Sequence, residues 1–137
     1  MTTKKATDLA LGFVSERETE PYLKLFFGDD TLAKTRDPYG AIDYLGDSTL
    51  CELKTRRIKH NLYPTCLIGL NKINVFRQST KNNYIVYRYT DGLYYIPYDQ
   101  ELFDTFDVDV QDTWRDGRCE SSKVVHIPII HLKPVIL

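Results

Sequence analysis

Leu9, Phe13, Glu16, Glu20, Leu23 and Phe27 follow one another at spacings of three and four, the period of one helix face. The pattern predicts a helix over residues 7–27, with Thr7 or Asp8 capping its start and Gly28 ending it. Pro21 interrupts the pattern, because a proline ring removes a backbone hydrogen bond and clashes with the preceding turn. Either the helix kinks there or a second helix opens with Pro21 in its first turn.

Beyond Gly28 the period shortens toward two. A strand is expected over residues 31–36, a turn at Asp37-Pro38-Tyr39-Gly40, and strands near 41–46 and 49–55 separated by Gly46-Asp47-Ser48. Residues 62–80 read either as a strand followed by a helix capped by Asn71, or as one longer helix from Pro64. Residues 83–98 form the clearest hairpin, with Asp91-Gly92 as a type I′ turn pair. This hairpin holds six of the ten tyrosines, which are expected to pack as cross-strand pairs rather than to stack on bases. Further strands are expected in 106–110 and 123–132, with Pro128 and Pro134 putting the last one at an edge or making it irregular. Helix, three strands, helix and further strands is the order of an α/β or α+β domain with a mixed sheet.

Composition changes this picture little. The chain has 137 residues, 42% of them apolar and 27% charged, which suits one ordinary globular domain. No apolar run is long enough to cross a membrane, and the first residues show no signal-peptide cleavage site, so neither a membrane nor an export route is expected. The three cysteines are odd in number, far apart and without CxxC spacing, which fits a reduced, intracellular protein. His126 and His131 are five residues apart and would face opposite sides of one strand, so a zinc site is not expected.

Charge is more informative in its placement than in its sum. The formal net charge of −1 gives no support for a nucleic-acid partner. Yet residues 54–60 hold four Lys and Arg and no acid, while residues 99–112 hold six acids and no base. The acidic run reads as a solvated face. Asp43, Glu52 and Lys54 stand inside the expected strands, where charge is disfavoured. Strand alternation puts Glu52 and Lys54 on one face. A turn near 46–48 then sets Asp43 opposite Glu52, with Cβ atoms about 5 Å apart. Two carboxylates that close need a cation between them, and Mg²⁺ is the common intracellular choice. Glu16 lies seven residues from both Leu9 and Leu23, on the apolar line of the first helix, with Glu20 as its rival.

These positions resemble the PD-(D/E)XK nuclease superfamily. Its core has an acid on an N-terminal helix, an acid on the second strand and an acid-x-lysine on the third, matched here by Glu16, Asp43 and Glu52-Leu53-Lys54. GFVSERETEPYL and ELKTRR are similar to the corresponding stretches of archaeal-type Holliday junction resolvases. Ile42 stands where the family has a proline, and Asp37, followed by Pro38, is the alternative first strand acid.

The resemblance implies a restriction-endonuclease-like α-β-β-β-α-β core with added C-terminal strands. It implies a Mg²⁺-dependent DNA endonuclease that also accepts Mn²⁺. Glu52, Asp43 and the Leu53 carbonyl would hold the metal, with Glu16 bound directly or through water. Lys54 would orient the attacking water and stabilise developing charge, leaving a 5′-phosphate and a 3′-hydroxyl. Arg56, Arg57 and Lys59 would grip flanking phosphates. Lys72 takes the place of an extra Lys or Gln that many of these enzymes set beside the site. A structure-selective enzyme of DNA recombination or repair, such as a Holliday junction resolvase, is the leading form. The alternatives are a restriction-like endonuclease, an exonuclease, a non-catalytic nucleic-acid-binding protein on the same fold, and an interaction protein presenting the tyrosine hairpin. A homodimer would suit an enzyme that cuts two strands.

Overall fold

A computed structural model describes residues 4–35 and 42–136, which form an α/β arrangement with a mixed sheet. Helix α1 runs over Lys4–Phe27 with Pro21 inside it, so no second helix opens at Pro21. It begins ahead of Thr7 and Asp8, which therefore do not cap it. Gly28 ends it with a left-handed φ of 67°, and Asp29 N–H returns to the Lys24 carbonyl at 3.1 Å. The buried line of α1 is Ser15, Thr19 and Leu23, one step from the expected stripe, with Glu16 and Glu20 at its margin. The side chains of Leu9 and Phe13 and the whole of the Asp37-Pro38-Tyr39-Gly40 turn lie outside the described residues.

Six strands form the larger sheet, in the order β1 (Ala33–Lys34), β2 (Tyr44–Leu45), β3 (Thr49–Thr55), β5 (Asn82–Tyr89), β6 (Gly92–Pro97) and β9 (Lys133–Pro134). β3 and β5 are parallel and the other neighbours antiparallel. β1 and β2 are shorter than the sequence suggested. Between β3 and β5 the chain makes β4 (Thr65–Gly69) and helix α2 (Leu70–Gln78). Gly69, not Asn71, is the N-cap of α2, and no side chain bonds there. After β6 comes the short helix α3 (Gln100–Phe103), capped by the Asp99 carboxylate. β7 (Val108–Arg115) and β8 (Arg118–Pro128) then pair with β4 in a second, three-stranded sheet.

The turn chemistry differs from expectation in one place. Tyr89 pairs directly with Gly92, so the β5–β6 turn is built on Thr90 and Asp91, neither of which has positive φ. The Asp91 side chain is engaged elsewhere, accepting hydrogen bonds from His60 N–H at 2.9 Å and pairing with His60 Nδ1 at 2.5 Å. The type I′ pair occurs instead at Asp116-Gly117, with φ of 53° and 77°.

Two apolar clusters sandwich the larger sheet. Leu23 of α1 packs with Leu32, Tyr44, Cys51, Leu53 and Val86 on one face. On the other, Leu50, Ile85, Tyr87 and Ile96 meet Ile73 and Phe76 of α2, Cys66 and Ile68 of β4, and Val125 and Ile127 of β8. The hairpin tyrosines pack rather than project: Tyr87 and Tyr89 are buried and stacked with centroids 5.8 Å apart, and Tyr84 stacks on Phe27 at 4.0 Å. Among the described residues no helix is long and apolar enough to cross a membrane.

Candidate active site

β3 alternates as its sequence demands. Cys51 and Leu53 face α1, Leu50 faces α2, and Glu52 shares the parity of Leu50. Tyr44 pairs with Cys51 and Leu45 with Leu50, and the same register carried one residue back sets Asp43 opposite Glu52. β2 ends there, leaving the edge of β3 open beyond Cys51. The Asp43 carboxylate closes it, accepting a hydrogen bond from Leu53 N–H at 2.8 Å. In a strand the N–H and C=O of one residue project to the same edge, so the Leu53 carbonyl opens toward Asp43 as well.

Three carboxylates converge at this edge. Asp43 crowds both Glu16 and Glu52, and its charge helps raise both of their carboxyls. Glu16 comes from the α1 side of the sheet and Glu52 from the α2 side, so the pair spans the sheet edge rather than one face. Glu20, the rival to Glu16, accepts a hydrogen bond from Lys34 N–H at 2.8 Å and so anchors β1 to α1.

Lysines answer these acids. Lys34 Nζ is 3.1 Å from Glu16 Oε2, Lys72 Nζ is 3.2 Å from Glu52 Oε2, and Lys54 Nζ is 4.0 Å from the same oxygen. Glu52 is 2% exposed, and its Oε1 is buried with no hydrogen-bond partner among the described residues. A buried carboxylate oxygen left unpaired is costly and calls for a partner.

The titration of the cluster follows from this crowding. Burial pushes the Glu52 carboxyl up to about 8, helped by Asp43 and opposed by Lys54 and Lys72. Burial and Asp43 push Glu16 up to about 7 against the pull of Lys34. Burial also lowers Lys54 below the ordinary lysine value, partly offset by Glu52. Lys34, Lys54 and Lys72 offset only part of this crowding, so the raised carboxyls favour protons or further positive charge.

Asp43, Glu52 and the Leu53 carbonyl suit Mg²⁺, which takes one or two protein carboxylates and fills its shell with water and phosphate. The orphaned Glu52 Oε1 is the observation that fits an ion here. Among the described residues no group of three or more His, Cys, Asp and Glu is arranged to hold a metal ion, so the candidate cradle rests on two carboxylates and the Leu53 carbonyl.

The remaining expected residues fall into two groups. Arg56, Arg57 and Lys59 are exposed in the loop after β3, beside the Lys54 end of the strand. Lys72 is drawn onto Glu52 and belongs to the cluster. Asp37 lies outside the described residues.

Sequence reasoning missed Lys34 and Asp29. Lys34 reaches the cluster from β1, within the strand expected over residues 31–36, but nothing in the sequence signals that this lysine meets Glu16. Asp29 is buried and accepts hydrogen bonds from Thr31 N–H and Oγ1 at 3.0 and 2.5 Å and from Ser48 N–H and Oγ at 3.1 Å, which hold its carboxyl well below the usual range. It ties the end of α1 to the β2–β3 turn. Gly46 fits against it because a Cβ there would lie 2.4 Å from Asp29 Oδ2. Comparison with protein-family models, curated proteins and solved structures found no match to this chain.

Proposed function

We propose that the chain is a Mg²⁺-dependent deoxyribonuclease of the PD-(D/E)XK type, acting on branched or otherwise structured DNA in recombination or repair. The observation that carries this reading is the buried, unpartnered Oε1 of Glu52, a carboxylate whose other oxygen faces Lys54 and Lys72 and whose charge is opposed by Asp43. The element order also supports it: α1, then β1, β2 and β3, then α2, then β5 parallel to β3 is the order of a restriction-endonuclease-like core, with β4 and the C-terminal strands added.

In this reading Asp43, Glu52 and the Leu53 carbonyl hold the ion, and Glu16 stands beside it. Bound there, Mg²⁺ would supply the positive charge that polarises a phosphate and acidifies a water. Lys54 holds its ammonium at the mouth of the site, where it orients the attacking water and stabilises the charge that develops on the phosphate. Lys72 keeps Glu52 oriented through Oε2, which leaves Oε1 for the ion. Arg56, Arg57 and Lys59 bind flanking phosphates and so set register without reading sequence.

The test is cleavage of branched, linear, supercoiled and single-stranded DNA with Mg²⁺ or Mn²⁺ against EDTA, beside Lys54→Ala and Glu52→Ala. Metal-dependent cutting of branched DNA that both variants lose is the expected result. Cutting of linear duplex at one sequence, or only from ends, moves the assignment to a restriction-like enzyme or an exonuclease. DNA binding without cleavage makes the chain a binding protein on this fold, and equal cleavage by wild type and variants sinks the site.

A further inference from the structure

Resting on the nuclease reading, we propose that Lys34 occupies the place of a second metal ion, so that the site takes one divalent cation and one fixed ammonium. Asp43 is shared between Glu16 and Glu52. A central carboxylate flanked by two others offers two cation positions, the layout of two-metal phosphoryl-transfer sites with ions about 3.5–4 Å apart.

The two positions are not equivalent here. On the Glu52 side an oxygen is buried and unpartnered. On the Glu16 side Lys34 Nζ already lies 3.1 Å from the carboxylate. Lys34 is held there twice over. Its backbone pairs with Tyr44 across β1 and β2, and its N–H is bound by Glu20 of α1. Its side chain is about a third exposed at 29%, so the ammonium closes the outer side of the cluster. An ammonium neutralises charge but has no coordination position for water or phosphate. Lys34 therefore supplies the electrostatic part of a second ion's role without its chemistry, and the site depends on metal to the first order.

The test is calorimetric titration of Mn²⁺ into the full chain without DNA, for wild type, Lys34→Gln, Lys34→Arg and Glu52→Gln. Wild type and Lys34→Arg are expected to bind one ion and Lys34→Gln two, while Glu52→Gln weakens binding at least tenfold. Two ions on the wild type overturn the role of Lys34 and leave the metal site standing. So does a folded Lys34→Gln protein that binds one ion with wild-type affinity. No ion on the wild type, or binding unchanged in Glu52→Gln, overturns the metal reading itself. If Lys34→Gln does not fold, the wild type decides alone: one ion and first-order Mn²⁺ dependence of cleavage support the assignment, and two ions and second-order dependence overturn it.

Discussion

The open edge of β3 and the ribbon formed by β7 and β8 break the same rule in opposite directions. At β3 charges stand inside. On the ribbon Val108, Val110 and Trp114 stand outside, each more than half exposed at 54, 57 and 67%. The difference lies in what meets them. Glu52 is met by Lys54 of its own strand, by Lys72 of α2 and by Asp43 just ahead of β2, and one of its oxygens is still unsatisfied. The ribbon apolars share one face of a hairpin and line no packed cluster. Exposed apolar residues are ordinary on proteins, whereas a buried unpaired carboxylate is rare. A residue against the pattern marks a site when other elements are built to converge on it.

The sharpest way to break this contrast is Glu52→Gln. Cleavage is expected to fall by roughly 10²–10³-fold or more, as when one electrostatic group is removed from a reacting centre. The metal-free protein is expected to melt higher at about pH 8–9, by about 2–8 °C, because an ionised carboxylate is no longer forced into a buried position. Less activity together with more stability is the signature of a functional charge. Loss of both would make Glu52 a structural residue.

The next effect is on the pH dependence of stability. Glu52 and Glu16 titrate at about 8 and about 7 in the fold, against 4.5 for an ordinary glutamate. The folded state therefore holds more protons than the unfolded chain between those values. Their stabilising contribution is complete below 4.5 and is lost as the pH rises through 7 and 8. Metal-free melting temperatures should fall across that window. Mg²⁺ displaces the same protons, so its stabilisation should grow there and proton release should accompany binding. Melts that stay flat with pH and ignore Mg²⁺ would contradict the cluster as described.

Two glycines compare the regions at smaller scale. Gly46→Ala drives a methyl onto Asp29 Oδ2 and strains the turn that sets Asp43 opposite Glu52. A cost of about 1–3 kcal/mol and a fall in activity are expected. Gly117→Ala at the ribbon tip meets no atom within 4 Å and pays only for its φ of 77°. About 1 kcal/mol and unchanged cleavage are expected. Equal effects on activity would erase the distinction between the two turns. Smallest of all is Trp114→Ser, expected within about 0.5 kcal/mol of wild type in a denaturant melt. A larger loss would mean that the ribbon face is packed after all.

Much of the site was legible because it depends on short-range geometry. Strand parity set Glu52 beside Lys54 and one turn set the register of Asp43, whereas the α1 line put Glu16 and its rival Glu20 in a stripe whose buried members are Ser15, Thr19 and Leu23. Lys34 was not legible, because the strand expected over residues 31–36 carries no sign that its lysine meets Glu16, a contact set by pairing with Tyr44. The two-faced origin of Glu16 and Glu52 was also hidden, since parity orders residues within one strand but not across a sheet. The turn at Asp91-Gly92 was misread because its carboxylate serves His60, a partner remote in sequence. β4 was left open between a strand and the start of a longer helix from Pro64, and its place in another sheet was not legible.

That last placement bears on how the chain reaches its fold. Gly69 of β4 pairs with Val124 of β8, and Thr65 with Pro128. During synthesis β3, β5 and β6 can assemble while β4 still shows an open edge and Cys66 and Ile68 still lack their cover from Val125 and Ile127. Contacts this distant in sequence slow folding, because the loop between them must close before any pairing rewards it. The edge of β3 that carries Glu52 can thus form before its far wall, with the apolar side chains of β4 uncovered until β8 arrives.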